Sequence, residues 1–341
     1  MRRMTLRAAG VAFMLSAGLL FGARWWGATF PSAQIAYITA EAGQRAIVLL
    51  DVERGITRVL VSGLALVQEF PAWSPDGTRL AFRAARASNS DIYVYDVVND
   101  DLQRLTDWAA LDFEPAWSPD GRAIAFTAYE YAYGYRVCII AAAGGQPRCL
   151  PEGLTDGSTP AWSPDGRAIS YWSVGALRRY SIHIISADFS QNQTLTSDDY
   201  GSYQPLWSPD GTQLVFQTDR DLDREIYRVN ADGSDLRNLT QHDGSDFAPM
   251  WSPDGRAIAF QTERQGNYDL YIMDREGGGL RQLTADPAPD YFPMWSPDSA
   301  RLAFVSLRDG SAEVYIINAD GSGLRRLTYN PAFDGFAVWR P

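Results

Sequence analysis

Pro249-Met250-Trp251-Ser252-Pro253-Asp254-Gly255-Arg256-Ala257-Ile258-Ala259-Phe260, then Asp269-Leu270-Tyr271-Ile272-Met273-Asp274, then Leu280-Arg281-Gln282-Leu283-Thr284, form one unit of a pattern that runs through the chain. Each piece reads as a short strand. Ser-Pro-Asp-Gly has turn chemistry: Pro presets φ at the first corner, Asp suits the second, and Gly takes the left-handed position. The run from Asp269 to Asp274 alternates like a half-buried strand, and Gly277-Gly278 turns it into the last strand. The unit therefore supplies four antiparallel strands, A to D. Its tryptophan recurs at Trp73, Trp117, Trp162, Trp207, Trp251, Trp295 and Trp339, in steps of 44 or 45 residues. A period near 40 to 50 residues is that of propeller blades.

The strand-B aromatic occurs seven times, at Tyr37, Phe82, Phe126, Tyr171, Phe216, Phe260 and Phe304, but nothing like Trp-Ser-Pro precedes the first. The missing strand is at the other end, where Phe336-Ala337-Val338-Trp339-Arg340-Pro341 matches Phe292-Pro293-Met294-Trp295-Ser296-Pro297. The reading is an all-β, seven-bladed propeller of four-stranded antiparallel blades. Its C-terminal strand is strand A of the N-terminal blade, whose other strands lie near Ile35, Ile47 and Arg58. Closing the ring this way removes an exposed edge. The seven tryptophans are expected to be scaffold.

These units resemble the TolB-type propeller repeat, written around Trp-Ser-Pro-Asp-Gly and a following Arg-x-Leu-Thr. Five copies keep the pentapeptide, the sixth has Ser299 in place of Gly, and the seventh is reduced to Trp339-Arg340-Pro341. The resemblance spans residues 35–341. It implies a repeat family and not TolB itself, since the family's periplasmic protein carries a separate α/β domain and six blades.

Residues 1–30 read as a signal anchor or signal peptide and 31–341 as the propeller. Arg2, Arg3 and Arg7 precede an uncharged run from Ala8 to Ala23, followed by Arg24, Trp25 and Trp26. No good small-x-small cleavage site follows, which favours an uncleaved tether at residues 8–23 with the basic end cytoplasmic; a signal peptide cut at a weak site is the alternative. Either places the propeller outside the cytoplasm, in the periplasm or at the outer cell surface. Cys138 and Cys149 flank the C-to-D turn of one blade. A disulfide and two buried thiols both remain open from spacing alone.

All 30 basic residues are arginine, four of them before residue 30, so the propeller carries 26 against 41 acidic residues. That excess argues against nucleic acid as a partner. Absence of lysine removes Schiff-base chemistry and a Ser-Lys dyad. The two histidines, His183 in a strand and His242 in a loop, form no metal spacing, and no Gly-x-Ser-x-Gly elbow occurs. The expectation is therefore no catalytic residue, no metal and no enzyme.

Repeated polar residues read mainly as structure. The turn aspartates Asp76, Asp120, Asp165, Asp210, Asp254 and Asp298 suit turn capping. Arg86, Arg220, Arg264 and Arg308 each follow the strand-B aromatic by four residues and are expected to pair with nearby acids. Asp112, Asp246, Asp290 and Asp334 precede the tryptophan by five. Cofactors are expected to be none, with calcium at these loops left open.

Function is sought where copies differ, on the face shared by the B-to-C and D-to-A loops. Three consecutive blades place there Trp108, Tyr129, Tyr131, Tyr133, Tyr135, Trp172, Arg178, Arg179, Tyr180, Tyr200 and Tyr203. Tyr, Trp and Arg are the types enriched at binding hot spots. The reading is a monomeric, non-catalytic, membrane-tethered extracytoplasmic scaffold that binds an envelope protein or peptidoglycan-associated partner through this face. The alternative is a carbohydrate-binding or carbohydrate-processing propeller using the same aromatics.

Overall fold

A computed structural model describes residues 33–341 except 42–43, 64, 67–69, 87–88, 152–156, 175–178, 198–199 and 222. The proposed tether, residues 1–30, lies outside the described residues, as does Arg178. No described helix is long and apolar enough to cross a membrane.

Seven antiparallel sheets follow one another around a ring. Blade 1 is built from Phe333–Trp339, Gln34–Glu41, Gln44–Asp51 and Ile56–Ser62. The chain's two ends thus share a sheet, with Trp339 opposite Ile35 and Val338 opposite Ala36. Arg340 extends the closure: its backbone N–H donates to the Gln34 carbonyl at 2.9 Å and its Nε to the Gly77 carbonyl at 2.7 Å. Blade 5, typical of the rest, comprises Ser202–Trp207, Gln213–Thr218, Glu225–Asn230 and Arg237–Asn238. Blade 2 departs from the pattern. Its strand A is reduced to Ala72–Trp73, and a separate pair, Ala65–Leu66, lies against the far end of strand B, making a five-stranded sheet.

The core lies between blades. One cluster joins Val215 and Ile226 of blade 5 to Trp251, Ile258, Phe260 and Tyr271 of blade 6. The tryptophans also bond across each boundary, because an indole N–H buried in such a seam requires an acceptor. Nε1 of Trp117, Trp162, Trp207, Trp295, Trp339 and Trp73 donates to the carbonyl just before the previous blade's tryptophan: Ala72, Ala116, Ala161, Met250, Met294 and Val338. Trp251 Nε1 is the exception and is buried without a partner. The last link, Trp73 to Val338, crosses the ring closure.

Strand A carries a bulge three residues before its tryptophan. Glu114, Thr159, Gln204, Ala248, Phe292 and Phe336 all have positive φ, between 49° and 57°, although none is glycine. Neighbouring blades support the strained backbone: the N–H of Ala248 and that of Phe292 donate to the side-chain oxygens of Gln217 and Gln261, at 3.1 and 3.0 Å. Strand D is anchored by its threonine. Thr106, Thr196, Thr240, Thr284 and Thr328 each accept the backbone N–H near the start of strand C of their own blade.

Candidate docking face

The face formed by the Ser-Pro-Asp-Gly turns is satisfied internally. In all six copies the Ser hydroxyl donates to Oδ1 of the Asp two residues on. These bonds hold the turn carboxylates below their usual range, as at Asp120 and Asp254. The turns are geometry, not a site.

The opposite face carries the divergent loops, and the structure sorts the sequence candidates into three groups. In blade 3, Tyr129 and Tyr135 pack with ring centroids 4.8 Å apart, Tyr135 meets Phe113 at 6.2 Å, and Arg136 lies over Tyr133 at 4.9 Å. Tyr131, at the tip of that hairpin, is 98% exposed. In blades 4 and 5, Trp172, Tyr180 and Tyr203 form a second cluster, with Tyr180 4.7 Å from Trp172 and 5.0 Å from Tyr203. Arg179 reaches Asp219 at 3.8 Å, and Tyr200 sits beneath Arg220 at 5.7 Å. A polar relay links the two clusters: the Trp172 indole donates to Thr159 Oγ1, whose hydroxyl donates to Glu114, the residue after Phe113. Trp108 belongs to neither cluster. It is half-buried against Phe126, and its indole N–H donates to both oxygens of Asp112 at 2.9 and 3.0 Å, so its role is to hold a buried carboxylate.

The aromatic surface extends beyond the sequence candidates. Arg224 bridges Tyr203 and Phe247, at 5.0 and 5.4 Å from their rings. From Phe247 the contacts continue through Tyr268, Tyr291, Phe292 and Phe336 to Phe70. Most of these stand three or four residues before the repeated tryptophan, so the repeat itself carried the signal.

The buried aspartates before strand A are occupied by neighbours. Asp246 and Asp290 receive Arg264 and Arg308 through both carboxylate oxygens, at 2.9 to 3.1 Å. Asp334 receives Asn330 at 2.7 Å. Burial pushes Asp112 up to about 7 and Asp334 up to about 6; at Asp246 it also outweighs the arginine. A calcium ion at Asp246 or Asp290 would have to displace an arginine. Among the described residues no group of three or more His, Cys, Asp and Glu is placed to hold a metal. Arg220 matches Arg264 and Arg308, but Ser202 stands where they find Asp, and its Nε is buried without a partner. The side chain of Arg86 lies outside the described residues.

His183 lies between Ser173 Oγ at 2.8 Å and Thr194 Oγ1 at 3.1 Å, stacked on Tyr171, and burial lowers it to about 4. It is a packed, neutral imidazole. Cys138 and Cys149 lie opposite each other in strands C and D of blade 3 and are joined by a disulfide. His242 lines a pocket of about 710 Å³ beside the B-to-C loop of blade 5, together with Asp221, Asp223, Glu225, Tyr227 and Asn238. Sequence reasoning passed over this pocket because its acids are scattered between residues 221 and 243.

A family model described as the TolB beta propeller domain matches residues 28–131 and 128–291. No curated protein matches the chain. Among solved structures, the putative TolB from Agrobacterium tumefaciens is 24% identical, with 74% of this chain and 91% of that chain covered and a TM-score of 0.59. TolB from Acinetobacter baumannii is 20% identical over 90% of this chain and 82% of that one, with a TM-score of 0.59. An oligogalacturonate lyase in complex with manganese is 16% identical over 86% and 84%, with a TM-score of 0.65. That an enzyme is built on the same fold overturns the expectation that this chain is no enzyme: an all-β propeller without a recognisable motif does not exclude catalysis.

Proposed function

From a chain that belongs to the TolB β-propeller domain family, we propose an extracytoplasmic binding platform that docks a protein of the cell envelope on the loop face of blades 3 to 5. The observation that carries the reading is the fully exposed Tyr131, with Tyr133 and Tyr135 partly exposed beside it and the packed Trp172, Tyr180 and Tyr203 cluster nearby. Tyr133, Tyr135, Trp172, Tyr180 and Tyr203, held by their neighbours, lose little conformational freedom on binding, which suits them to act as anchors, and Tyr131 offers the largest free ring surface. Arg179, half exposed beside Asp219, supplies a cation on this face of a predominantly acidic domain. The export reading of residues 1–30 supplies the compartment, and the uncharged run at residues 8–23 would hold the domain at the membrane.

Recovery of partners from an envelope extract tests this, comparing residues 31–341 with a Tyr131→Ala, Tyr133→Ala variant, whose side chains are exposed enough to leave the fold intact. A Tyr131→Ala, Trp172→Ala, Arg179→Ala variant extends the test to the second cluster. Loss of one protein band is the expected result. Undiminished recovery with folded variants sinks the docking face, and capture of a glycan in place of protein would favour a carbohydrate ligand on the same aromatics.

A further inference from the structure

Two blades carry the same small cradle of two carboxylates, and in one of them the chain fills it with its own arginine. In blade 7, Arg326 on strand D extends Nη1 to Asp309 and Nη2 to Glu313, each at 2.8 Å. The Tyr315 hydroxyl donates to Asp309 and the Thr328 hydroxyl to Glu313, holding both carboxylates in place. Blade 2 has half of the arrangement: Arg104, at the same strand position, meets Asp91 at 2.9 Å, while the sequence has Ala87 where blade 7 has Asp309.

Blade 5 keeps the cradle and lacks the occupant. Asp221, Glu225, Tyr227 and Thr240 stand 88 residues before Asp309, Glu313, Tyr315 and Thr328. They repeat the same bonds, Tyr227 donating to Asp221 and Thr240 to Glu225. Even the flanking stack is reproduced, with Arg220 over Tyr227 and Arg308 over Tyr315, both at 4.8 Å. Where blade 7 has Arg326, blade 5 has Asn238, whose shorter amide reaches only Asp221, at 2.8 Å. The pocket of about 710 Å³ opens here. Asp223 and Asp243 line it as well, at positions where blade 7 has Ser311 and Pro331. Among the described residues no arginine forms an ion pair with any of these four acids, and Glu225, 2% exposed, is held only by Thr240 and the His242 backbone.

We propose that the blade-5 pocket is a guanidinium site that takes an arginine side chain presented by the docked partner protein. Two carboxylates fixed on either side of a slot match the planar fork of a guanidinium better than the point charge of an ammonium. Arg326 demonstrates that geometry within this molecule. Arg220 connects the pocket to the loop face, lying over Tyr227 of its lining and over Tyr200, so the source of the arginine rests on the docking reading, whereas the chemistry of the site does not.

The test titrates the purified propeller with N-acetyl-arginine amide and, separately, with N-acetyl-citrulline amide, which has the same shape without the charge. The ring signals of His242, one of only two histidines, report binding. Expected is arginine binding about tenfold or more tighter than citrulline. Asn238→Arg, which rebuilds the blade-7 arrangement, should weaken arginine binding by about tenfold or more. Asp223→Asn with Asp243→Asn, at the pocket lining, provides a second variant whose affinity should also fall. Equal binding of arginine and citrulline by the unaltered protein overturns the proposal, as does undiminished arginine binding by folded Asn238→Arg protein. Because the probe is a small molecule, its binding is read independently of partner recovery, and failure of the pocket is distinguishable from failure of the docking face.

Discussion

Deleting residues 333–341 removes strand A of blade 1 and should unfasten the ring. Trp339, Val338 and Ala337 are buried, with 7%, 6% and 3% of their surface exposed. Losing a buried tryptophan costs about 3–5 kcal/mol, and an unburied valine about 1.5–3 kcal/mol. Trp339 Nε1 on the Met294 carbonyl and the Arg340 bonds to Gly77 and Gln34 add about 0.5–1.5 kcal/mol each. Together the loss is on the order of 6–12 kcal/mol, against about 5–15 kcal/mol for a whole domain. Strand B, Gln34–Glu41, would also become a bare edge. The assay is urea denaturation followed by far-ultraviolet circular dichroism, with Trp339→Ala as the milder variant at about 3–5 kcal/mol. Little or no folded baseline is expected for the truncated chain. An unchanged midpoint in the truncated chain would refute the closure argument.

Three further outcomes follow from the same contacts. Ser299 holds φ at 58° where its counterparts have glycine, and its hydroxyl accepts the Asp254 N–H at 3.1 Å. Ser299→Ala keeps the strain and loses the bond, so it should cost about 1 kcal/mol in a urea melt, while Ser299→Gly trades one for the other and should stay within about 0.5 kcal/mol of the parent. Arg308→Ala leaves Asp290 buried without its cation and should cost about 3–5 kcal/mol in the same assay, whereas Arg167→Ala, on an exposed turn, should be near neutral. Burial raises Asp112 to about 7 from the ordinary 3.8, so between those values the folded state holds more protons and stability falls as pH rises. Asp112→Asn should flatten that slope, the remainder coming from the other carboxyls that burial raises, Asp269 and Asp334 to about 6 and Asp246 and Glu225 in the same direction; an unaltered slope in stability measured against pH would contradict the assignment.

The ring was legible because the blades repeat the requirements that shape them: a tryptophan for the seam in all seven, Ser and Asp for the turn in six, Thr at strand D in five. The terminal match of Phe336–Pro341 to Phe292–Pro297 is enough to place the closing strand. What escaped was side-chain partnership. Trp108 looked like a surface anchor because its indole bond to Asp112 depends on a loop path that spacing does not give. The bulge was hidden because Glu114, Thr159 and Phe292 take a left-handed backbone without the glycine that would announce it. The blade-5 pocket was present in the sequence as Asn238 in the register of Arg326, yet it gains meaning only once Arg326 is seen between Asp309 and Glu313. Divergence between copies marks the loop face in general, but the aromatics at Phe247, Tyr291 and Phe336 lie inside strand A, next to the repeated tryptophan.

The docking face itself is tested most directly by the affinity of the propeller for the envelope protein it recovers, measured for residues 31–341 and for the Tyr131→Ala, Tyr133→Ala variant. Loss of two anchor rings should weaken binding by about tenfold or more, while Arg122→Ala with Arg167→Ala on the opposite face should leave it unchanged. Equal affinity for the parent and the tyrosine variant, or a loss confined to the turn-face variant, would contradict the assignment.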